Sequence, residues 1–99
     1  MKITKLANKL LLWFVKEFKD TNKQFFDFEN IRHAFPDHSE ESLIQAIYLL
    51  KNNGFVNTLD ADDIPYITTV LTDAIRQVEE NTLLKKGYNF VKKITDLIP

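Results

Sequence analysis

The segment HSEESLIQAIYLLKNNGFV, from His38 to Val56, is the most informative about the fold because its pattern indicates a well-delimited helix followed at once by a strand. Ser39 can accept hydrogen bonds from the free amides of a first helical turn, and Gly54 can adopt the left-handed conformation that ends a helix. The segment therefore predicts a helix over residues 39–53 that leads directly into a β-strand. The apolar spacing predicts that its buried face consists of Leu43, Ala46, Ile47 and Leu50.

Apolar spacing on either side of this segment predicts four more helices and one β-hairpin. A short extended piece is expected before Asp27, which is placed to cap the second helix. The hairpin is expected over about residues 55–70, with LDADDIP as a polar turn between its strands. We predict a single domain over residues 1–99, mainly α with a small β-hairpin (α+β), in a winged helix-turn-helix arrangement with an extra C-terminal helix. The four further helices are predicted over residues 3–19, 28–35, 72–81 and 83–97.

Composition narrows the classes of function. The chain has 99 residues, 13 basic against 14 acidic, so its overall charge attracts neither nucleic acid nor anionic lipid. The absence of cysteine excludes disulfides and is consistent with the cytoplasm, which is the expected location. The longest apolar run, Leu10 to Val15, is too short to span a bilayer, so no membrane partner is expected.

Three segments carry a resemblance to a known family: SEESLIQAIYLLKNNGFV, VLTDAIRQVEEN and GYNFVKKITDLIP. In these segments and in its predicted element order, the chain resembles the YjcQ-type winged-helix proteins of Gram-positive bacteria and their phages. The resemblance implies a winged-helix fold over the whole chain and a bacterial or prophage origin. It assigns no activity, since that family has no well-defined function. The chain departs from many winged helices at Ile75, where they often have glycine, which implies a different packing of the fourth helix.

The outer face of the helix over residues 39–53 is the first candidate functional surface. At about 100° per residue, the positions opposite its buried stripe carry side-chain amides that can bind adenine edges and a tyrosine that can contact phosphate or a thymine methyl. The predicted winged-helix element order motivates the leading hypothesis, which is a DNA-associated transcription regulator that binds double-stranded DNA with this helix. Its candidate DNA-binding residues are Ser42, Gln45, Tyr48, Lys51 and Asn52.

Acidic residues around that face oppose the DNA hypothesis. Glu40 and Glu41 begin the helix at the end that normally enters the groove, and Asp60, Asp62 and Asp63 lie in the hairpin. Each of these carboxylates would repel phosphate in a DNA complex. The same residues also have a purely structural interpretation, as helix-stabilising groups and a solvated turn. The alternative hypothesis is a winged-helix protein-interaction module that does not bind DNA, and the sequence leaves both open.

Basic residues concentrate on the first and last predicted helices. If these two helices pack together, their lysines form one basic patch that attracts phosphate or an acidic protein without sequence recognition. An ordinary solvated lysine face explains the same pattern. The candidate patch residues are Lys5, Lys9, Lys16, Lys85, Lys86, Lys92 and Lys93.

A few apolar side chains lie where a polar outer face would suffice. They are expected either to form a homodimer or partner surface or to be covered by the protein's own terminal helix. The candidate interaction residues are Ile44, Tyr48, Leu49 and Tyr88.

Enzyme motifs are absent from the sequence. There is no phosphate-binding glycine loop, nucleophile elbow or metalloprotease motif. His33 and His38, with Asp37 beside the second, form at most an incomplete metal site. We therefore expect a protein that is not an enzyme, with no catalytic residue, no metal, no cofactor and no small-molecule ligand.

Overall fold

The computed structural model describes residues 3–80, which contain four helices and a three-stranded antiparallel sheet. The predicted class, mainly α with a small β-hairpin, is confirmed, and a short third strand joins the hairpin. The predicted fifth helix, residues 83–97, lies outside the described residues. In chain order the elements are α1 (Ile3–Thr21), β1 (Phe25–Asp27), α2 (Phe28–Ala34), α3 (Glu40–Asn52), β2 (Val56–Ala61), β3 (Ile64–Val70) and α4 (Thr72–Glu80).

Helix α3 begins and ends at the residues that its sequence specifies. The Ser39 hydroxyl accepts a hydrogen bond from the Ser42 amide at 3.1 Å, which satisfies one of the free amides of the first turn. Gly54 has a φ of 80°, a conformation that side chains with a Cβ rarely adopt. The predicted buried stripe is confirmed, since all four of its residues are fully buried: Leu43, Ala46, Ile47 and Leu50.

The sheet has the order β1-β3-β2, so β3 is the central strand. Phe26 pairs with Thr68, and Thr68 pairs with Thr58, which places these three side chains on one face of the sheet. Phe26 and Thr68 are fully buried, so this inner face lies against the core. The domain core thus lies between the inner face of the sheet and helices α1 and α3, which pack on each other.

The two strands of the hairpin are longer, and its turn is tighter, than the sequence predicts. The prediction of a polar turn spanning LDADDIP is wrong, because β2 extends to Ala61 and β3 already begins at Ile64. Only Asp62 and Asp63 remain in the turn, with φ values of 55° and 63°. Positive φ at both central positions is the requirement of a type I′ turn, the type whose twist matches that of the two strands in a two-residue hairpin. Aspartate tolerates positive φ better than most residues do.

A bulge in the hairpin changes the direction of the next side chains. Leu59 pairs with Ile67, but Asp60 pairs with Pro65, so Tyr66 is the extra residue on β3. Proline is tolerated in a central strand at a bulge, where the ladder is already interrupted. The bulge therefore sets where Asp60 and Tyr66 lie, and both belong to the candidate surfaces below.

Within residues 3–80, no helix is long and apolar enough to cross a membrane.

Candidate functional site

The outer face of α3 contacts the hairpin at Asp60. The Tyr48 hydroxyl donates a hydrogen bond to Asp60 Oδ1 at 2.9 Å, and Lys51 Nζ lies 3.4 Å from Asp60 Oδ2. Both carboxylate oxygens of Asp60 are therefore engaged by α3. Two of the five candidate DNA-binding residues are held by an acidic side chain of the same protein.

This contact shifts the pKa values of both hydrogen-bonded partners. Partial burial, followed by the hydrogen bond to Asp60 and its charge, raises the pKa of Tyr48 from 10.0 to about 12. The pKa of Asp60 is lowered below its usual value. The adjacent Thr58 hydroxyl contributes most to this lowering, although its Oγ1 makes no hydrogen bond within the usual geometric limits, and Tyr48 and Lys51 add to it. At neutral pH a neutral phenol thus donates to a charged carboxylate, which is a strong type of hydrogen bond.

The remaining DNA-binding candidates lie on the same side of α3 with a mixture of amides and acids around them. Gln45 and Asn52 are exposed, as the sequence indicated. Gln45 Nε2 donates to Glu41 Oε1 at 3.4 Å, one turn earlier. Ser42 is half-buried, and its Oγ accepts a hydrogen bond from the Ser39 hydroxyl at 3.0 Å. Gln45 and Asn52 are thus the candidates that present side-chain amides to solvent.

Acidic residues greatly outnumber basic ones in the segments around α3. Residues 27–63, which run from the start of α2 to the hairpin turn, contain eight acidic and two basic residues. Both basic residues contact carboxylates: Lys51 contacts Asp60, and Arg32 lies 2.7 Å from Glu29 and 3.9 Å from Glu40. This part of the surface therefore repels polyanions such as the DNA backbone.

The predicted basic patch is described only on its α1 side. Lys5, Lys9 and Lys16 are exposed, and their spacing of four and seven residues places them along one side of α1. The other four candidates, Lys85, Lys86, Lys92 and Lys93, lie outside the described residues. The patch formed by both helices therefore stays a prediction.

The apolar candidates on α3 are less available than expected. Ile44 and Leu49 are partly buried and pack against the core, because α3 is covered on more than one side. Tyr48 is half-buried and bonded to Asp60. The fourth candidate, Tyr88, lies outside the described residues.

The large apolar side chains that are exposed within residues 3–80 lie on the sheet. They are Phe25, Leu59 and Tyr66, with 64%, 69% and 48% of their surface accessible. None of the three is among the candidates predicted from sequence, and Leu59 falls in the segment predicted to be a turn. The signal that could have found Leu59 is strand alternation. In a strand that continues beyond Thr58, whose side chain lies on the inner face, Leu59 points to the opposite, outer face.

Two of these residues share the outer face of the sheet. Leu59 pairs directly with Ile67, and Phe25 pairs with Thr69, two residues further along the same strand. Because paired residues and residues two apart point to the same side, Phe25, Ile67 and Leu59 all lie on the outer face of the sheet, where Ile67 is directly beside Leu59. We call these three residues the outer sheet patch.

Tyr66 belongs to a separate groove of about 390 Å³ between the sheet and the starts of α2 and α3. Three apolar or aromatic residues and three carboxylates line it, with no basic residue among them. We call this cavity the acidic groove; its lining residues are Phe28, Ile64, Tyr66, Asp27, Glu29 and Glu40.

A second cleft, of about 510 Å³, lies at the turn between α2 and α3 and contains both histidines. Arg32, which lines this cleft, is paired with Glu29 and Glu40. Among residues 3–80, no group of three or more histidine, aspartate or glutamate side chains is arranged to hold a metal ion.

No protein-family model, no curated protein and no solved structure matches this chain.

Proposed function

We propose that the chain is a winged-helix domain, similar to the YjcQ-type proteins, that acts as a protein-interaction module and does not recognise DNA with α3. The element order supports the winged-helix part of the proposal. α3 is the third helix, and the hairpin that follows it after Gly54 belongs to a three-stranded sheet. A bacterial or prophage origin and a cytoplasmic location form part of the same proposal.

The contact between Tyr48 and Asp60 is the observation that carries the proposal. In a DNA complex the outer face of α3 would enter the major groove and the hairpin would approach the phosphates. Here an ionised aspartate of the hairpin lies against that face and engages Lys51, the basic residue of α3. Phosphate would have to displace this carboxylate and overcome the surrounding acidic residues, and both requirements weaken binding.

The outer sheet patch supports a protein partner. Single exposed apolar side chains are common on protein surfaces and need no explanation. Phe25 and Leu59, however, are each more than half exposed and share one sheet face with Ile67. Burying such a group against a partner removes apolar area from water, which is the main driving force of protein association.

The second candidate function is a DNA-associated regulator that binds double-stranded DNA. Gln45 and Asn52 favour it because both are exposed on α3 and carry the amides that bind adenine edges. The exposed lysines of α1 would add contacts to phosphate without sequence recognition. A homodimer is compatible with either function.

A titration of the isotope-labelled protein with a short mixed-sequence DNA duplex separates the two functions. Amide NMR shifts are followed at low and then at physiological salt, since phosphate contacts depend strongly on salt. We expect the amides of Gln45, Asn52 and the hairpin to remain unchanged. Salt-sensitive shifts at these residues would assign α3 to DNA and overturn the proposal.

Partner capture from nuclease-treated lysate tests the protein-interaction function directly. We expect the double variant Phe25→Ser/Leu59→Ser to lose a protein that the wild type captures, because it removes the exposed apolar part of the outer sheet patch. Gln45→Ala/Asn52→Ala is the matched control and is expected to retain it. Equal capture by both double variants would contradict a role for the patch.

A further inference from the structure

We infer that the acidic groove binds a segment of a partner protein in which a lysine or arginine stands beside an apolar side chain. The inference rests on the proposed protein-interaction function and adds a location and a chemistry to it. Neither the outer face of α3 nor the outer sheet patch contributes a lining residue to this groove.

The groove combines an apolar base with an open aromatic wall. Phe28, at the start of α2, is 5% exposed, and Ile64 of β3 packs partly against the core. Tyr66, placed at the groove by the hairpin bulge, is 48% exposed. The volume of about 390 Å³ falls in the range of sites that hold small ligands or a few side chains.

The carboxylates of the groove come from two helix starts. Asp27 Oδ1 accepts a hydrogen bond from the Asn30 amide at 2.7 Å, as the cap of α2. Arg32 contacts Glu29 Oε1 at 2.7 Å and Glu40 Oε2 at 3.9 Å, and Arg32 itself lines the neighbouring cleft. Each contact engages one carboxylate oxygen, and a carboxylate can accept several hydrogen bonds. The groove therefore retains the capacity to bind an incoming ammonium or guanidinium group.

Charge and hydrophobicity together define the occupant. An anionic segment would be repelled, because the three carboxylates of the groove outnumber the neighbouring Arg32. A purely apolar segment would remove their remaining oxygen atoms from water without supplying a partner, which costs free energy. A cationic side chain pairs with the carboxylates, and an adjacent apolar side chain covers Tyr66 and Ile64. The exposed lysines of α1 in a second copy satisfy only half of this requirement, because the large apolar side chains exposed within residues 3–80 are on the sheet.

The test is an amide NMR titration of the full chain with a short capped peptide whose central sequence is Leu-Arg-Leu. Peptides with Leu-Glu-Leu and Ser-Arg-Ser at the centre are the controls for charge and for hydrophobicity. We expect shifts at Phe28, Glu29, Glu40, Ile64 and Tyr66 with the first peptide and much weaker binding of the other two. Equal binding of Leu-Glu-Leu, or shifts confined to the outer sheet patch, would overturn the inference.

Matched variants locate the binding energy. Glu29→Gln/Glu40→Gln is expected to lower the affinity for the Leu-Arg-Leu peptide roughly three- to tenfold, because two solvent-exposed ion pairs with it are lost. Glu41→Gln removes the adjacent acidic residue of the same helix turn, outside the groove, and is expected to change affinity less than about twofold. Tyr66→Ser is expected to weaken binding, while Phe25→Ser is not. Equal affinities for Glu29→Gln/Glu40→Gln and Glu41→Gln would contradict the inference.

The self-association of the protein is measured in the same samples by translational diffusion. Association that grows with protein concentration and is lost in Glu40→Gln would assign the groove to a second copy and overturn the inference. The duplex titration is independent of these peptides. Amide shifts of α3 on addition of the DNA duplex would therefore reject the proposed function. If the peptides cause no shifts and the duplex causes none in α3, only the inference about the acidic groove is rejected.

Discussion

Tyr48 of α3 and Asp60 of β2 are joined by a hydrogen bond of 2.9 Å between the phenol hydroxyl and Oδ1. The bond connects the helix expected to recognise DNA with the hairpin expected to flank it. Lys51 joins the same carboxylate one turn further along the helix. The helix and the hairpin are thus linked through polar side chains at the surface as well as through the core.

Replacing Tyr48 by phenylalanine removes the hydroxyl donor and retains the ring. We expect the free energy of unfolding to fall by about 0.5 to 1 kcal/mol, the usual net worth of one hydrogen bond. Chemical denaturation measures it. Tyr66→Phe is the control, since that exposed ring lines the groove, and we expect it to leave stability unchanged. Equal losses in both variants would show that the Tyr48 hydrogen bond adds nothing specific.

Alkaline pH should weaken the fold through the same hydroxyl. The pKa of Tyr48 is raised from 10.0 to about 12 in the folded protein, so between these values the unfolded chain loses a proton that the folded chain keeps. Stability therefore falls as pH rises from 10 to 12. Because Tyr48→Phe lacks this proton, the stability difference between wild type and variant should shrink across that window. A constant difference would contradict the shift.

Asp60→Asn tests the cause of that shift. Removing the negative charge weakens two of the effects that raise the pKa of Tyr48 and leaves partial burial, the largest, in place. We therefore expect the pKa of Tyr48 to move from about 12 part of the way toward 10.0. The measurement is an NMR pH titration of the Tyr48 ring. Asp62→Asn, in the turn, is the control and should leave that pKa near its wild-type value.

Gly54→Ala measures what the end of α3 requires from the backbone. A Cβ at Gly54 would meet no atom within 4 Å, so crowding contributes nothing, but its φ of 80° is unfavourable for alanine. We expect a loss of about 1 kcal/mol in the free energy of unfolding, from the cost of a left-handed residue. Gly54→Asn should lose less, because asparagine tolerates this region. Stability equal to the wild type in Gly54→Ala would contradict the backbone explanation.

The hairpin turn offers a change that should stabilise the protein. Asp62 and Asp63 both have positive φ, and Asn-Gly is the preferred pair for such a turn. We expect Asp62→Asn/Asp63→Gly to raise the free energy of unfolding by about 0.5 to 1 kcal/mol. Thermal and chemical denaturation give the value. Thr58→Gly, which places a glycine inside β2, is the control and should destabilise.

Helix α3 shows which features local sequence is able to predict. Its cap at Ser39, its stop at Gly54 and its four buried residues depend on neighbours within a few positions along the chain. The extended segment before Asp27 and the cap that this residue provides are local in the same sense. Such elements are predictable because capping bonds and helical periodicity act over short sequence separations.

The candidate surfaces show what local patterns missed. Asp60 was placed in a solvated turn, whereas β2 continues through it and directs it to α3. Ile44 and Leu49 were expected to be available to a partner, but they pack against the core. Phe25, Leu59 and Tyr66, which are exposed, were not among the candidates. Each outcome depends on strand register and on the bulge, which local propensity does not specify.

The α+β class, the position of α3 and the excess of acidic residues between residues 27 and 63 all follow from the amino-acid sequence. The groups that those acidic residues contact depend on the folded arrangement of the chain. That arrangement set Asp60 against Tyr48 and Lys51, and it brought Asp27, Glu29 and Glu40 together beside Tyr66. The physical reason is that charge and helical periodicity are properties of the chain, whereas a groove or a cross-element hydrogen bond exists only after strand pairing and core packing fix distant residues in space.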